Sequence, residues 1–204
     1  MSLPLEILKP RLLLGEGREE EYFFKAILKY LGISDIQVEN FSGKDNLSRY
    51  MKALPSRSGF SILRSIGITR DADDNLESAF DSAKSAVKSI NISPPGRIGE
   101  FVNENPKIGI FIFPNGKSRG MLEDLCLSYL DDRPEMRCID EMFRCVQEET
   151  LSRPNNMSKA RIRVWLATLL EPDRRLGEAA QNGSFAWDDP CFSPLVQFIQ
   201  EIAR

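Results

Sequence analysis

The sequence predicts an α/β fold: a parallel sheet of about four strands flanked by helices, followed by a helical carboxy-terminal extension. Three observations carry this expectation. Four short apolar runs end in glycine, proline or acidic turns, segments with apolar residues at helical spacing lie between them, and beyond Asp132 the pattern turns all helical. Strands that alternate with amphipathic helices imply a parallel sheet covered on both faces. The change of pattern divides the chain into an α/β domain, residues 1–132, and an extension, residues 133–204, expected to pack on it.

The elements follow in order. "RLLLGEG" reads as a buried strand ending near Glu16, and "REEEYFFKAILKYLG" as a helix with Phe23, Phe24, Ile27, Leu28 and Leu31 on one face, stopped by Gly32. "DIQVENF" is a second strand, and "GKDNLSRYMKALP" a turn and helix, with Asp45 as cap and Pro55 as terminator. "SILRSIGITRD" is a third strand. In "NLESAFDSAKSAVKSI", Leu76, Phe80, Ala83 and Val87 recur at helical spacing, with Asp74 as the cap. "NISPPGRIGEFVNENP" is the clearest break, a loop with a short edge strand. "KIGIFIFP" is the fourth strand and "GMLEDLCLSYL" opens the next helix. Met136–Glu149, Ser158–Leu170 and Pro194–Ala203 are the helices of the extension, the second pinned by Ile162, Trp165, Leu166 and Leu169.

Composition narrows the chemistry. A chain of 204 residues buries on the order of 70% of its unfolded surface, enough for a core without disulfides. No apolar run approaches the roughly 20 residues of a membrane span, and "MSLPLEILKPRLLLGEG" lacks the basic start and cleavage site of a signal peptide, so the expected location is the cytoplasm. The four cysteines, Cys126, Cys138, Cys145 and Cys191, show no CxxC spacing, and Cys138 and Cys145 read as buried helix positions. Histidine is absent. That excludes Ser-His-Asp and Cys-His catalysis and leaves oxygen ligands for any metal, which suits Mg²⁺ or Mn²⁺.

Net charge is −3, but the charges are segregated. Arg153, Lys159, Arg161, Arg163, Arg174 and Arg175 face only Glu171 and Asp173 in their stretch, whereas residues 121–149 are strongly acidic. An acidic pocket beside a basic binding surface would give this pattern. The sharpest local anomaly is "GITRDADDN", where Asp71, Asp73 and Asp74 crowd the end of a strand. Two carboxylates about 4 Å apart at an effective dielectric near 20 repel by roughly 4 kcal/mol. Water, a helix amino terminus or a cation must relieve that.

Ligands of open parallel sheets bind outside the carboxyl ends of the strands. Glu16 ends the first strand, Asp71 and Asp73 the third, Glu20 follows Glu16 by four residues, and Glu123 comes just after the fourth strand. These carboxylates should converge on one rim, which favours the cation. Lys44, in the "GKDNL" turn, is placed to contact a phosphate.

"LLLGEG", "GKDNL" and "GITRDADDN", in that order and strand context, resemble a Toprim domain, the catalytic fold of topoisomerases, primases, recombination factors and nucleases of the overcoming-lysogenisation-defect type. The chain is especially similar to small stand-alone Toprim-like proteins of unknown function, which pair these motifs with "FPNGKSRGMLEDL" and "KARIRVWLA". The likeness spans Leu12 to about Leu130, and more loosely Lys159 onward. It implies that Glu16 is the family glutamate and that Asp71 and Asp73 are its metal-binding DxD. By similarity to the nucleases, Glu20 and Glu123 would complete two metal sites and Lys159 would support the transition state.

The implied function is metal-dependent hydrolysis of a nucleic-acid phosphodiester, DNA or RNA. Glu16 and Lys159 would be catalytic, Glu16, Glu20, Asp71, Asp73 and Glu123 metal ligands, and Lys44, Arg161 and Arg163 contacts to the phosphate backbone. A non-catalytic Toprim module and a nucleotidyl transferase are the alternatives. A haloacid-dehalogenase-type phosphatase ranks below them, since its DxD lies on the first strand. The ATPase, topoisomerase-tyrosine and zinc-binding modules that accompany other Toprim domains have no counterpart in these residues.

Overall fold

The computed structural model describes residues 6–204; residues 1–5, on which part of the signal-peptide reading falls, lie outside the described residues. Its centre is a five-stranded sheet: β1 (Arg11–Gly15), β2 (Ile36–Asn40), β3 (Ser65–Asp71), β4 (Phe101–Val102) and β5 (Lys107–Phe113), in the order β2-β1-β3-β5-β4. The four long strands run parallel, and β4 is the short antiparallel edge strand, pairing Phe101 with Gly109. The fold class is as the sequence reads.

Strand periodicity sorts the core into two layers. Leu13, Phe111 and Phe113 point to one face; Leu12, Leu14, Ile66, Ile68, Ile108, Ile110 and Ile112 point to the other. The second face is covered by α2 (Leu47–Ala53) and α3 (Leu76–Lys88). The first is covered by α1 (Arg18–Leu31) and α4 (Leu122–Leu130), joined by α5 (Pro134–Thr150), α6 (Met157–Ala167), α7 (Leu176–Gln181) and α8 (Ser193–Ala203). The carboxy-terminal helices therefore share a single core with the sheet. α8 lies directly over β3: a Cβ at Gly67 would fall 2.2 Å from Ile202 Cδ1. Only a bare backbone admits that approach.

Three local readings are corrected. The cap of α3 is Asn75 rather than Asp74: its extended backbone aims Oδ1 at the Ser78 amide, 2.8 Å away. Asp45 caps nothing, because it lies inside a single 3₁₀ turn that starts at Gly43. Cys138 and Cys145 are exposed, since α5 buries only Met136 and Ile139, a stripe too narrow to take in the cysteines. Among the described residues no helix is long and apolar enough to cross a membrane.

Candidate metal centre at the strand ends

Parallel strands deliver their carboxyl ends to one edge, and the register fixes which residues meet there. Gly15 is level with Asn40, and Asp71 with Phe113. Glu16, one residue past β1, and Asp71, the last of β3, therefore emerge side by side on adjacent strands. Glu20 comes from the first turn of α1, where the Gly17 amide donates to its Oε2 at 2.8 Å; Glu123 comes from the first turn of α4. All four line one cleft of about 400 Å³, with Asn40, Gly43 and Lys159 on its rim.

The electrostatics are those of crowded, half-dry carboxylates. Burial, with Glu20, Glu16 and Glu123 nearby, pushes the Asp71 carboxyl up to about 8, against one amide donation from Leu122 to Oδ1 at 3.0 Å. Burial chiefly, then Glu16 and Glu123, raises Glu20 to about 6. Glu16 and Glu123 are raised too, again by burial first, with Arg70 and Lys159 respectively pulling the other way. Glu16 Oε2 is buried with no hydrogen-bond partner. Each feature disfavours the ionised form, and each would be relieved by a cation.

Asp73 behaves differently. Its backbone is left-handed (φ 49°), its amide and carbonyl exchange reciprocal 2.9 Å hydrogen bonds with Gly120, and its side chain is paired with Lys44 at 3.1 Å. It stands near enough to Glu16 to raise the latter's pKa, but it opens toward a neighbouring hollow with Lys44 and Arg119. Lys159, the third residue of α6, sits between clefts, its Nζ 4.0 Å from Glu123 Oε1. Arg163 lies one turn further along and lines an adjoining hollow rather than this cleft, and Arg161 is held by a bidentate pair with Asp140 on α5, at 2.7 and 2.9 Å. The structure thus gathers Glu16, Glu20, Asp71, Glu123 and Lys159, leaves Asp73 and Lys44 as a pair at the margin, and does not bring Arg161 to the cleft.

The sequence reading passed over Arg70. It is only 7% exposed, donates to Ser82 Oγ at 2.7 Å, and is the chief group lowering the Glu16 pKa. The signal was available: a basic residue inside a buried strand, next to the aspartate that ends it. Asp124 is occupied structurally, accepting from the Met121 amide and the Ser158 hydroxyl.

A family model described as "Protein of unknown function (DUF3226)" matches residues 10–204. The chain belongs to the DUF3226 family. No curated protein matches this DUF3226 chain. Among solved structures it is similar to the C-terminal region of the OLD protein of Xanthomonas campestris pv. campestris, at 18% identity and a TM-score of 0.46, over 96% of this chain and 94% of that one.

Among the described residues, no three His, Cys, Asp or Glu side chains are gathered closely enough to hold a metal ion as they stand. The donor set nonetheless fits Mg²⁺ or Mn²⁺ better than a closed site would. Mg²⁺ keeps several waters and binds through one or two carboxylates plus substrate phosphates, so a full protein cage is not its requirement. The orphaned Glu16 oxygen and the raised Glu20 and Asp71 are the groups such an ion would satisfy.

Proposed function

We propose that this DUF3226 protein is a Toprim-like, Mg²⁺- or Mn²⁺-dependent phosphodiesterase acting on nucleic acid. The reading is carried by one observation: Glu16, Glu20, Asp71 and Glu123 converge from four elements on a single cleft while burial and mutual repulsion penalise their charge. The order of the Glu16 and Asp71–Asp73 motifs along the chain supports it further. One or two of Glu16, Glu20, Asp71 and Glu123 would hold the cation directly, with water and a substrate phosphate completing its shell and Asp73 at its margin. When bound, a divalent ion polarises the phosphoryl oxygen and makes an attacking hydroxide available near neutral pH.

The chain's own residues do the rest. Glu16, with one oxygen free and Arg70 behind it, is placed to accept the proton of the attacking water. Lys159, loosely paired with Glu123, would stabilise charge that builds on the phosphoryl group. The Lys44–Asp73 pair limits the net negative charge that an incoming phosphate meets.

A second reading, a Toprim-like module that binds without cutting, is favoured by the lack of a ready-made three-ligand cage among the described residues. The discriminating experiment incubates the protein with labelled single- and double-stranded DNA and RNA in Mg²⁺, Mn²⁺ or Ca²⁺, beside a Glu16→Gln control. Metal-dependent cleavage that the control lacks is expected. Binding with no cleavage in any metal would overturn the enzymatic reading in favour of the binding module.

A further inference from the structure

The acidic cleft does not end at Glu123. It continues into a second, larger hollow of about 610 Å³, and Glu19, Glu123 and Lys159 line both. The second hollow runs between α6 and the segment from Pro172 into the start of α7. Its charge is opposite in sign: Lys159 and Arg163 stand on one wall, Arg174 and Arg175 on the other.

The second wall is anchored by a contact far apart in sequence. The Gly177 amide donates to Glu19 Oε2 at 2.8 Å, and a Cβ at Gly177 would fall 2.6 Å from Tyr22 Cβ and 2.7 Å from the Glu19 carbonyl oxygen. α7 is therefore pressed on α1, and the Arg174–Arg175 step is presented toward α6. Lys159 and Arg163 are four residues apart on α6, so they project on one face about 6 Å apart along the axis. Acidic groups neutralise this hollow only partly. Arg174 pairs with Glu171 and Lys159 stands loosely by Glu123, while Arg163 and Arg175 enter no ion pair among the described residues.

We infer that this groove is the track for one phosphodiester strand, which it passes to the carboxylate cleft. The inference rests on the proposed function and adds the form of the substrate: a single-stranded polynucleotide or a single-stranded end. Cations on facing walls neutralise one backbone from both sides, whereas duplex binding calls for a surface that meets two backbones across a groove about 12 Å wide. Among the described residues no aromatic side chain lines the hollow, Trp165 being buried in the core, so recognition rests on phosphate and is indifferent to sequence. The sign change between the hollows then sets direction: the strand is held where the potential is positive, and only the phosphate beyond Lys159 enters the acidic cleft.

The test uses the full chain and fluorescein-labelled 20-nucleotide single strands of DNA and of RNA, with the matching duplex, followed by fluorescence anisotropy in EDTA across a salt series. The single strands should bind more tightly than the duplex. Combining R163A, R174A and R175A should weaken single-strand binding more than about tenfold and lower the salt slope by up to about 0.7 for each contact removed. R161A should leave both unchanged, because Arg161 is committed to Asp140. Thermal melts establish that each variant is folded, and R163K/R174K/R175K, which keeps the charge, should restore most of the affinity. A triple alanine variant that melts normally and keeps affinity and slope overturns the groove, as does a duplex preference in the wild type. A wild type that binds through the groove but never cleaves in Mg²⁺ would sink the phosphodiesterase reading alone. Cleavage whose KM is unmoved in the triple variant would sink the groove alone. The DNA and RNA arms decide which backbone is preferred.

Discussion

Two sites in this molecule bury carboxylates, and they do so in opposite ways. Glu39, on β2, is only 4% exposed, yet its oxygens accept from both guanidinium amino groups of Arg57 at 2.8 and 2.7 Å, from Gln37 at 2.6 Å and from the Tyr50 hydroxyl. Glu20, at 8% exposure, has a single amide donor, and Glu16 leaves one buried oxygen without any. In the first arrangement both carboxylate oxygens are satisfied by side chains of the protein, although Arg57 Nε is buried there without a partner. The second leaves hydrogen-bonding capacity unfilled. Burial alone does not make an acid a candidate for function; burial with its hydrogen bonds left unmade does.

The largest effect should come from breaking the paired site. Arg57→Ala strands the Glu39 charge in the core and should cost about 3–5 kcal/mol, lowering the thermal midpoint on the order of 10 °C. Activity per folded molecule should be unchanged. If Arg57→Ala left the melting point where it was, the contrast between the two sites would fail at its strongest point.

At the incomplete site the sign reverses. Asp71→Asn and Glu16→Gln each remove a poorly solvated charge, so metal-free variants should melt at or above the wild type at pH 8, while metal-dependent cleavage falls by at least about a hundredfold. A variant that loses activity together with stability would place its carboxylate among the structural ones.

The same carboxylates give the metal-free protein a pH dependence. In the folded state Glu20 and Asp71 titrate near about 6 and about 8, against about 4 when unfolded. The folded form binds these protons more tightly, so their contribution to stability is full below about pH 4 and is lost as pH rises through about 6 and then about 8. Melting midpoints in EDTA should therefore fall from pH 5 to pH 8, and Asp71→Asn should flatten that fall. Adding Mg²⁺ at pH 8 should raise the midpoint.

The smallest effect belongs to the exposed pair. Arg161 and Asp140 are also bidentate, through Nε and one amino group rather than through both amino groups, but they pair at the surface, where such a pair is worth about 0.2–1 kcal/mol. Arg161→Ala measured by urea denaturation should fall in that range. A larger loss would mean that geometry, rather than burial, sets the value of the pair.

What the sequence made legible was whatever local pattern determines. Four apolar runs gave the parallel strands, and parallel strands oblige Glu16 and Asp71 to share an edge. The short strand at Phe101 was readable from the break around it. What escaped were meetings of residues distant in the chain. Nothing around Arg161 announces Asp140, and nothing near Gly177 announces Glu19. Arg161 was therefore read as a phosphate contact, and the second wall of the basic groove went unseen. Cys138 and Cys145 were misplaced for a related reason: helical spacing gives a stripe, but its width depends on how closely the neighbouring helix packs. The Asn75 cap turned on one backbone angle, which the run of aspartates before it masked.

The reciprocal bonds between Asp73 and Gly120 have a dynamic consequence. They tie the loop leaving β3 to the loop entering α4, and the Leu122 amide on Asp71 repeats the tie one layer in. The edge of the sheet where loops normally fray is thus laced from both sides. Its amides should exchange with deuterium on the timescale of the strands below rather than of the surface around them. A ligand entering at this edge would then meet side-chain rotation, on nanoseconds, rather than loop opening on milliseconds, and its rate of encounter would be set by diffusion and charge instead of by the breathing of the fold.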